Sequence, residues 1–140
     1  MKYLNLLLRL VAAVILMQTL FFKFSGAEES KFIFSSLGVE PWGRWFAGFS
    51  ELVACLLLLV PATQVLGALA SVGIMAGAIL SHLLILGLVV KDDGGLLFGL
   101  ACTVLIASLG VLVLNQKQVF DYVRMIKNRF DTEEKPIKGL

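Results

Sequence analysis

The chain has 140 residues, of which 59% are hydrophobic and 16% are charged, and its mean hydropathy is +0.91. Soluble domains carry roughly 25% charged residues, and a globule of this length lacks the interior volume for so many apolar side chains. This composition excludes a soluble globule, a disordered chain and a secreted disulfide scaffold. The net charge of +2, without a run of basic residues, gives no indication of a nucleic-acid partner.

Four apolar runs are long enough to cross a bilayer, which takes about 20 residues per helix. They cover residues about 3–22, 42–60, 65–90 and 95–114. Helices are expected because backbone groups in lipid must be hydrogen-bonded within the span. We therefore predict an all-α fold, with a four-helix transmembrane bundle over residues 1–115.

The connections carry turn and cap signals. Residues 27–37 predict a short outer-loop helix, with Glu28 and Glu29 in its first turn and Gly38 as its C-cap. Pro61 marks a tight turn after the second span, and Asp92 and Asp93 are N-cap candidates for the fourth. The apolar side chains of the short helix are expected against the membrane or the top of the bundle: Phe32, Ile33, Phe34 and Leu37.

The distribution of Lys and Arg predicts the orientation. An even number of spans puts both termini on one side of the membrane. That side holds eight cationic residues, against four on the other, so we expect both termini in the cytoplasm. The eight are Lys2, Arg9, Lys117, Arg124, Lys127, Arg129, Lys135 and Lys138, and the four are Lys23, Lys31, Arg44 and Lys91.

Residues 1–27 also allow a second interpretation, as a signal peptide with a small-residue cleavage site at 25–27. The apolar run is about 20 residues long, whereas such regions usually span 7–15, and Arg9 interrupts it. We therefore favour a first transmembrane helix.

Residues 116–140 are predicted to form an amphipathic helix followed by a polar tail. Two placements fit the pattern: on the cytoplasmic leaflet, or packed under the protein's own bundle. The apolar face consists of Val119, Phe120, Val123, Ile126 and Phe130.

Ionisable groups inside spans are costly and therefore indicate function or a specific structural role. Glu51 and His82 are expected about 10 and 12 Å below the outer surface, at 1.5 Å per helical residue. Gln18 and Lys23 come near the outer end of the first span, and we predict that these four residues line a ligand-binding pocket. Arg9, near the opposite end, is expected to extend to cytoplasmic headgroups, and Arg44 is assigned a structural or headgroup role.

Small residues on the second and third spans predict that these helices pack tightly. Gly73, Gly77 and Ser81 form a seam at four-residue spacing. Tight packing would bring Glu51 beside His82, where the two either bind and protonate a ligand or form a structural pair. A metal site is disfavoured because one His and one carboxylate fall short of the usual ligand count.

The two cysteines are Cys55 and Cys102, each within an apolar run. They form no CxxC motif, so their spacing gives no redox signature. Both are predicted to be free thiols, although their similar depth leaves a bridge geometrically open.

These residues resemble the DoxX family of small four-helix membrane proteins, most closely DoxX-like proteins of the Bacteroidetes type. The likeness covers roughly residues 5–115, and it includes Arg9 early in the first span and Lys23 at its end. One departure is Gln64 after Thr63, where the family commonly has Arg. The segments that carry the likeness are EPWGRWFAGFSELVACLLLL at 40–59, GALA at 67–70, MAGAILSH at 75–82 and DDGGLLF at 92–98.

The resemblance implies an inner-membrane four-helix bundle with Arg9, Lys23, Glu51 and His82 as family-type polar positions. It also implies association with redox complexes, since the family takes its name from a subunit of a quinone-linked oxidoreductase. Distant relatives act in receptor assembly and cargo export.

Two hypotheses follow. The first is a redox-associated accessory subunit with a small lipophilic, quinone-like ligand in the outer half of the bundle. The second is a non-enzymatic assembly or scaffold factor for other membrane proteins. Under either hypothesis the expected partners are the lipid bilayer and redox-complex subunits or a second copy of the chain. Transport is disfavoured because no inverted repeat or broken helix pair is visible.

Overall fold

The computed structural model describes residues 1–134, and these residues form helices and connecting loops without strands. Four of the helices are long and apolar enough to cross a membrane. The all-α prediction with four spans is therefore confirmed. The helices are α1 (Lys2–Ser25), α2 (Glu28–Ser36), α3 (Trp42–Leu59), α4 (Gln64–Ser81), α5 (Leu96–Leu114) and α6 (Gln116–Glu133), and α4 continues into a π-helical turn at His82–Leu86.

The four long helices form a bundle in which α1 and α4 each pack against both α3 and α5. The third span ends at Leu86, before the predicted boundary of about 90, because Gly87 leaves the helical region with φ 79°. Both termini of the described chain lie at one end of the bundle, which we call the terminal end. The opposite end carries α2 and the α4–α5 loop, and we call it the α2 end.

The tightly packed core lies toward the terminal end. Small residues allow the helices to approach there: a Cβ on Gly67 would lie 2.5 Å from the backbone nitrogen of Leu58. The fully buried side chains of this core include Ala12, Leu16, Ala54, Cys55, Leu58, Ala68, Ser71, Val104 and Val111.

Toward the α2 end, α3 and α4 diverge. A Cβ added to Gly73 or Gly77 would meet no atom within 4 Å, whereas one added to Gly67 would collide with α3. The predicted tight seam through Gly73, Gly77 and Ser81 is therefore wrong. The close approach occurs nearly two helical turns earlier, at Gly67, and the later glycines face open space between the two helices.

The lateral surface of the bundle is apolar. In the most apolar 18-residue stretch of each long helix, only 17–33% is buried inside the protein. Most side chains of these helices therefore face outward. Phe21, Phe46 and Ile106 are each about 70% exposed, as expected for residues that contact lipid rather than water. The chain is thus an integral membrane protein.

The short helix predicted in the first loop is confirmed as α2, which lies at its end of the bundle. Gly26, in the left-handed region with φ 70°, ends α1 and allows the turn into α2. Helix α2 packs against α1, α3 and the π-helical turn. Lys91 of the α4–α5 loop lies 3.8 Å from the Glu28 carboxylate and 5.6 Å from the ring centre of Phe32.

Side-chain amides join the helices at the terminal end. Asn5 donates to Gln64 at 2.9 Å, Gln64 donates to Asn115 at 3.2 Å, and Asn115 donates back to Asn5 at 2.8 Å. This closed ring of three amides, the amide ring, links α1 and α4 to the α5–α6 junction. Gln118 extends it, accepting a hydrogen bond from Gln64 and donating to the Ala62 carbonyl.

Helix α6 buries none of its residues against the bundle. Its predicted apolar face is exposed, with Phe120 and Phe130 each 65% exposed. Gln118 and Tyr122 hold the first half of the helix to the Ala62 carbonyl, while most of the apolar face remains available to the membrane surface. The last part of the predicted tail, including Lys135 and Lys138, lies outside the described residues.

Candidate functional site

A cavity of about 580 Å³ opens where α3 and α4 diverge, and α2 covers it. The structure brings all four residues of the predicted pocket to its wall: Gln18, Lys23, Glu51 and His82. A volume of this size is typical of binding sites for small molecules, which usually measure 300–1,000 Å³.

Glu51 is the most buried charge on the cavity, with 3% of its surface exposed. Its Oε1 lies 2.9 Å from the Lys23 ammonium, and its Oε2 accepts a hydrogen bond from the Thr19 hydroxyl at 3.2 Å. Thr19 and Lys23 are one helical turn apart, so both reach the same carboxylate. A buried carboxylate is stable when it is paired in this way.

The expected pairing of Glu51 with His82 is therefore wrong. Helix α3 lies against α1, which carries Lys23, while α3 and α4 separate at this level. Sequence analysis missed Thr19, because a threonine in an apolar helix usually bonds only to its own backbone. The Leu16 carbonyl lies 3.1 Å from the Thr19 hydroxyl, so the single hydroxyl proton is shared between this carbonyl and the Glu51 carboxylate.

His82 begins the π-helical turn and has 5% of its surface exposed. Its Nδ1 lies 2.9 Å from the Gly87 carbonyl oxygen, and its ring meets the Phe98 ring edge-on at 5.7 Å between centres. A carbonyl oxygen only accepts, so Nδ1 carries the proton. Nε2 has no hydrogen-bond partner among residues 1–134, which leaves it for a ligand.

Asp93, predicted as a helix cap, also lines the cavity. Its carboxylate accepts the backbone N–H groups of Val90, Gly95 and Leu97 at 2.9, 2.8 and 3.0 Å. Burial acts to raise the pKa of Asp93, but these donors and the charge of His82 outweigh it, and the net effect is a lowered pKa. The α4–α5 loop thus presents a stable negative charge near His82.

Ser30 is the buried polar residue of α2 on the cavity, beside the exposed Glu29, and sequence analysis did not single it out. It is 6% exposed, and its hydroxyl has no hydrogen-bond partner within the described chain. The sequence contains no signal for it, because only its burial distinguishes this serine from the exposed Ser35 and Ser36.

The remaining cavity wall is apolar. Below the polar groups it is lined by residues of α1, α4 and α5, and a shallow groove between α3 and α4 continues from it along the lateral surface. The groove shares Phe46, Ser50, Gly73 and Ile74 with the cavity. The cavity is therefore polar toward α2, apolar in its depth and open toward the bilayer. The apolar wall includes Ile15, Ile74, Met75, Leu100 and Val104.

Arg44 joins the start of α3 to the end of α1, beside the cavity. It is 6% exposed, it donates to the Glu40 carboxylate at 2.8 Å, and it also donates to the Lys23 carbonyl at the end of α1. That carbonyl belongs to the last turn of a helix, where backbone acceptors have no intrahelical donor. Of its two predicted roles, Arg44 has the structural one.

Arg9 lies apart from the cavity, and its predicted extension to headgroups is wrong. It is 6% exposed and donates to the carbonyls of Leu58 and Leu59, both at 2.6 Å. These carbonyls end α3 and need donors, which the guanidinium supplies from within the bundle. Arg9 is therefore a structural residue that caps α3.

The cysteines are both free, as predicted, and neither lines the cavity. Cys55 is buried against α1, with its Sγ 3.5 Å from the Ala13 carbonyl. Across residues 1–134, no three His, Cys, Asp or Glu side chains are grouped closely enough to hold a metal ion.

Comparison with known proteins identifies a family. The family model described as the DoxX-like family matches residues 7–109, a range that reaches all four long helices and includes every cavity residue discussed above. No curated protein and no solved structure matches the chain.

Proposed function

The chain belongs to the DoxX-like family, and we propose that it binds a small lipophilic ligand with polar oxygens, such as a quinone, in the cavity beneath α2. The observation that carries this proposal is the cavity itself. Polar groups converge on it from three long helices and one loop, above an apolar wall that opens toward lipid. Pockets with this distribution hold ligands that have a polar head and an apolar body.

The chemistry of the polar groups supports a ligand whose polar head carries oxygens on a ring. His82 Nε2 accepts a hydrogen bond from a hydroxyl when the ring is neutral and donates to a carbonyl when it is protonated. The Lys23 ammonium, already bonded to Glu51, has further donor capacity. A quinone and its reduced form differ in these oxygens, so the site can contact either form.

A redox-associated accessory role is the second part of the proposal, and it rests on the family resemblance. The chain's own residues supply binding and proton exchange at His82 and Glu51, and a partner protein would supply the electrons. The proposed location is the bacterial inner membrane, with both termini cytoplasmic and the cavity in the outer half. The excess of Lys and Arg toward the termini supports this orientation.

A role in membrane-protein assembly is the alternative, and α6 favours it. Four large apolar side chains on this helix have no partner in the described chain: Phe120, Val123, Ile126 and Phe130. This face can contact either the bilayer surface or another membrane protein.

Native mass spectrometry of the protein, purified in mild detergent from quinone-containing membranes, tests the ligand site. The wild type should carry a co-purifying lipophile that His82→Ala and Glu51→Gln both lose. Cys102→Ala, outside the cavity, is the matched control and should retain it. An empty wild type, or a mass adduct unaffected by either cavity variant, would contradict the proposal and favour the assembly role.

A further inference from the structure

We infer that Ser30 is a ligand-binding residue, whose hydroxyl donates a hydrogen bond to an oxygen of the molecule in the cavity. This inference rests on the proposed function, and it adds to it the chemistry required at the α2 side. The ligand must present an acceptor oxygen, such as a carbonyl or ether, toward α2. A pure hydrocarbon of the same shape does not meet this requirement.

The first argument is that the Ser30 hydroxyl is buried without a partner. Ser30 contributes to the wall of the cavity with 6% of the residue exposed, its hydroxyl oxygen is buried, and no described group bonds to that oxygen. Buried hydroxyls are almost always hydrogen-bonded, because an unpaired one retains the cost of its lost hydration. A ligand oxygen in the cavity would remove that cost.

The second argument is that the backbone does not satisfy this serine as it satisfies three others of the bundle. Ser50, Ser71 and Ser81 each donate to the carbonyl four residues earlier, all at 2.8 Å. For Ser30 that carbonyl belongs to Gly26, which precedes α2 and has a left-handed backbone conformation. The hydroxyl is therefore left free by the position of Ser30 in the first turn of its helix.

The third argument is the position of Ser30 relative to the other free group. Helix α2 packs against the π-helical turn that begins with His82, whose Nε2 also lacks a partner among the described residues. Three charged groups of the cavity are, by contrast, already paired, Glu51 with Lys23 and Asp93 with backbone amides, and Glu29 is exposed. Ser30 and His82 thus provide uncommitted hydrogen-bonding capacity on neighbouring elements.

The test compares two probes that differ in oxygen content: decyl-1,4-benzoquinone and decylbenzene. Their dissociation constants are measured on the full chain in detergent for the wild type and Ser30→Ala. Ser30→Ala should weaken quinone binding about fivefold, which corresponds to one hydrogen bond of about 1 kcal/mol. Its affinity for decylbenzene should equal that of the wild type.

Two further variants separate a binding role from a structural one. Ser108 has the other buried hydroxyl without a partner in the described residues, but it lies in α5 and does not line the cavity. Ser108→Ala should leave the binding of both probes unchanged. Ser30→Thr keeps a hydroxyl and should retain most of the quinone affinity.

The outcomes distinguish this inference from the proposed function. If the wild type binds the quinone and Ser30→Ala binds it equally well, Ser30 is not a ligand group and the proposed site still stands. If Ser30→Ala weakens both probes equally, the serine shapes the cavity and the hydrogen-bond assignment is overturned. If the wild type binds neither probe, the inference and the proposed function both fail.

Discussion

Glu51 and Lys23 form an ion pair within the membrane-spanning part of the bundle, and the two residues depend on each other. Removing one partner of a buried pair leaves the other charge uncompensated, at a cost of about 3–5 kcal/mol. Because the Lys23 side chain remains 16% exposed, we expect Glu51→Leu to cost about 3 kcal/mol, at the lower end of that range. The measurement is the midpoint of thermal unfolding in detergent.

The double variant Lys23→Met/Glu51→Leu is the control for this prediction. Replacing both charges with apolar groups of similar volume removes the uncompensated charge, so most of the lost stability should return. A double variant as unstable as Glu51→Leu alone would show that the pair does not act as a unit. Ligand binding by a stable double variant then reports on the charges without a folding defect.

Single residues also show where sequence reasoning reaches its limit. Because Glu51 is a carboxylate in an apolar run, the sequence predicts that it needs a polar partner. Depth alone does not identify this partner, since His82 and Lys23 both lie at a suitable depth. Choosing between them requires knowing that α1 lies against α3 and that α4 diverges. The prediction for Arg9 is wrong for a similar reason. Hydropathy does not reveal that the carbonyls of Leu58 and Leu59, at the end of α3, lie within hydrogen-bonding distance of its guanidinium.

At the scale of helices, α3 and α4 touch at Gly67 and separate at Gly73. We predict that Gly73→Leu folds but no longer binds the ligand, because its side chain would extend into the opening that the cavity shares with the lateral groove. A Cβ at this position meets nothing within 4 Å, and replacing a helical glycine generally stabilises by about 0.5–1 kcal/mol. The measurements are the unfolding midpoint and binding of the decyl-1,4-benzoquinone probe.

Gly99→Leu is the matched control for the opening. Gly99 is also an exposed helical glycine with no neighbour within 4 Å, but it lies on α5 away from the cavity. Binding should survive this substitution. If Gly73→Leu binds as well as Gly99→Leu, the gap between α3 and α4 is not the route from the bilayer.

The helices themselves were largely predictable. Apolar runs bounded by Pro61 and the Asp92–Asp93 pair indicated four spans, and residues 27–37 indicated the short helix found as Glu28–Ser36. Four residues of the cavity were predicted, but the gap between α3 and α4 that forms it was not. A repeat of small residues predicts close packing equally at Gly67 and Gly73, and only the angle between the helices decides which of them is in contact.

For the molecule as a whole, the orientation prediction can be measured directly. We expect a cysteine introduced as Ser35→Cys on α2 to react with a membrane-impermeant maleimide in intact bacterial spheroplasts. A cysteine introduced as Lys117→Cys on α6 should react only after lysis. Both are made in a Cys102→Ala background, and Cys55 is buried. The reverse labelling pattern would invert the proposed orientation and place the cavity in the inner leaflet.

The amide ring has a mechanical consequence for the whole bundle. Its members join α1 and α4 to the α5–α6 junction through uncharged groups, so these hydrogen bonds do not depend on titration. At the opposite end, the Lys23–Glu51 pair and Arg44 join α3 to α1, but no side-chain hydrogen bond among the described residues joins α3 to α4. Thermal motion of the helices should therefore have its smallest amplitude beside the termini. It should have its largest amplitude beneath α2, where α3 and α4 can move apart. A ligand can then pass between the cavity and the bilayer while the core at the terminal end stays packed.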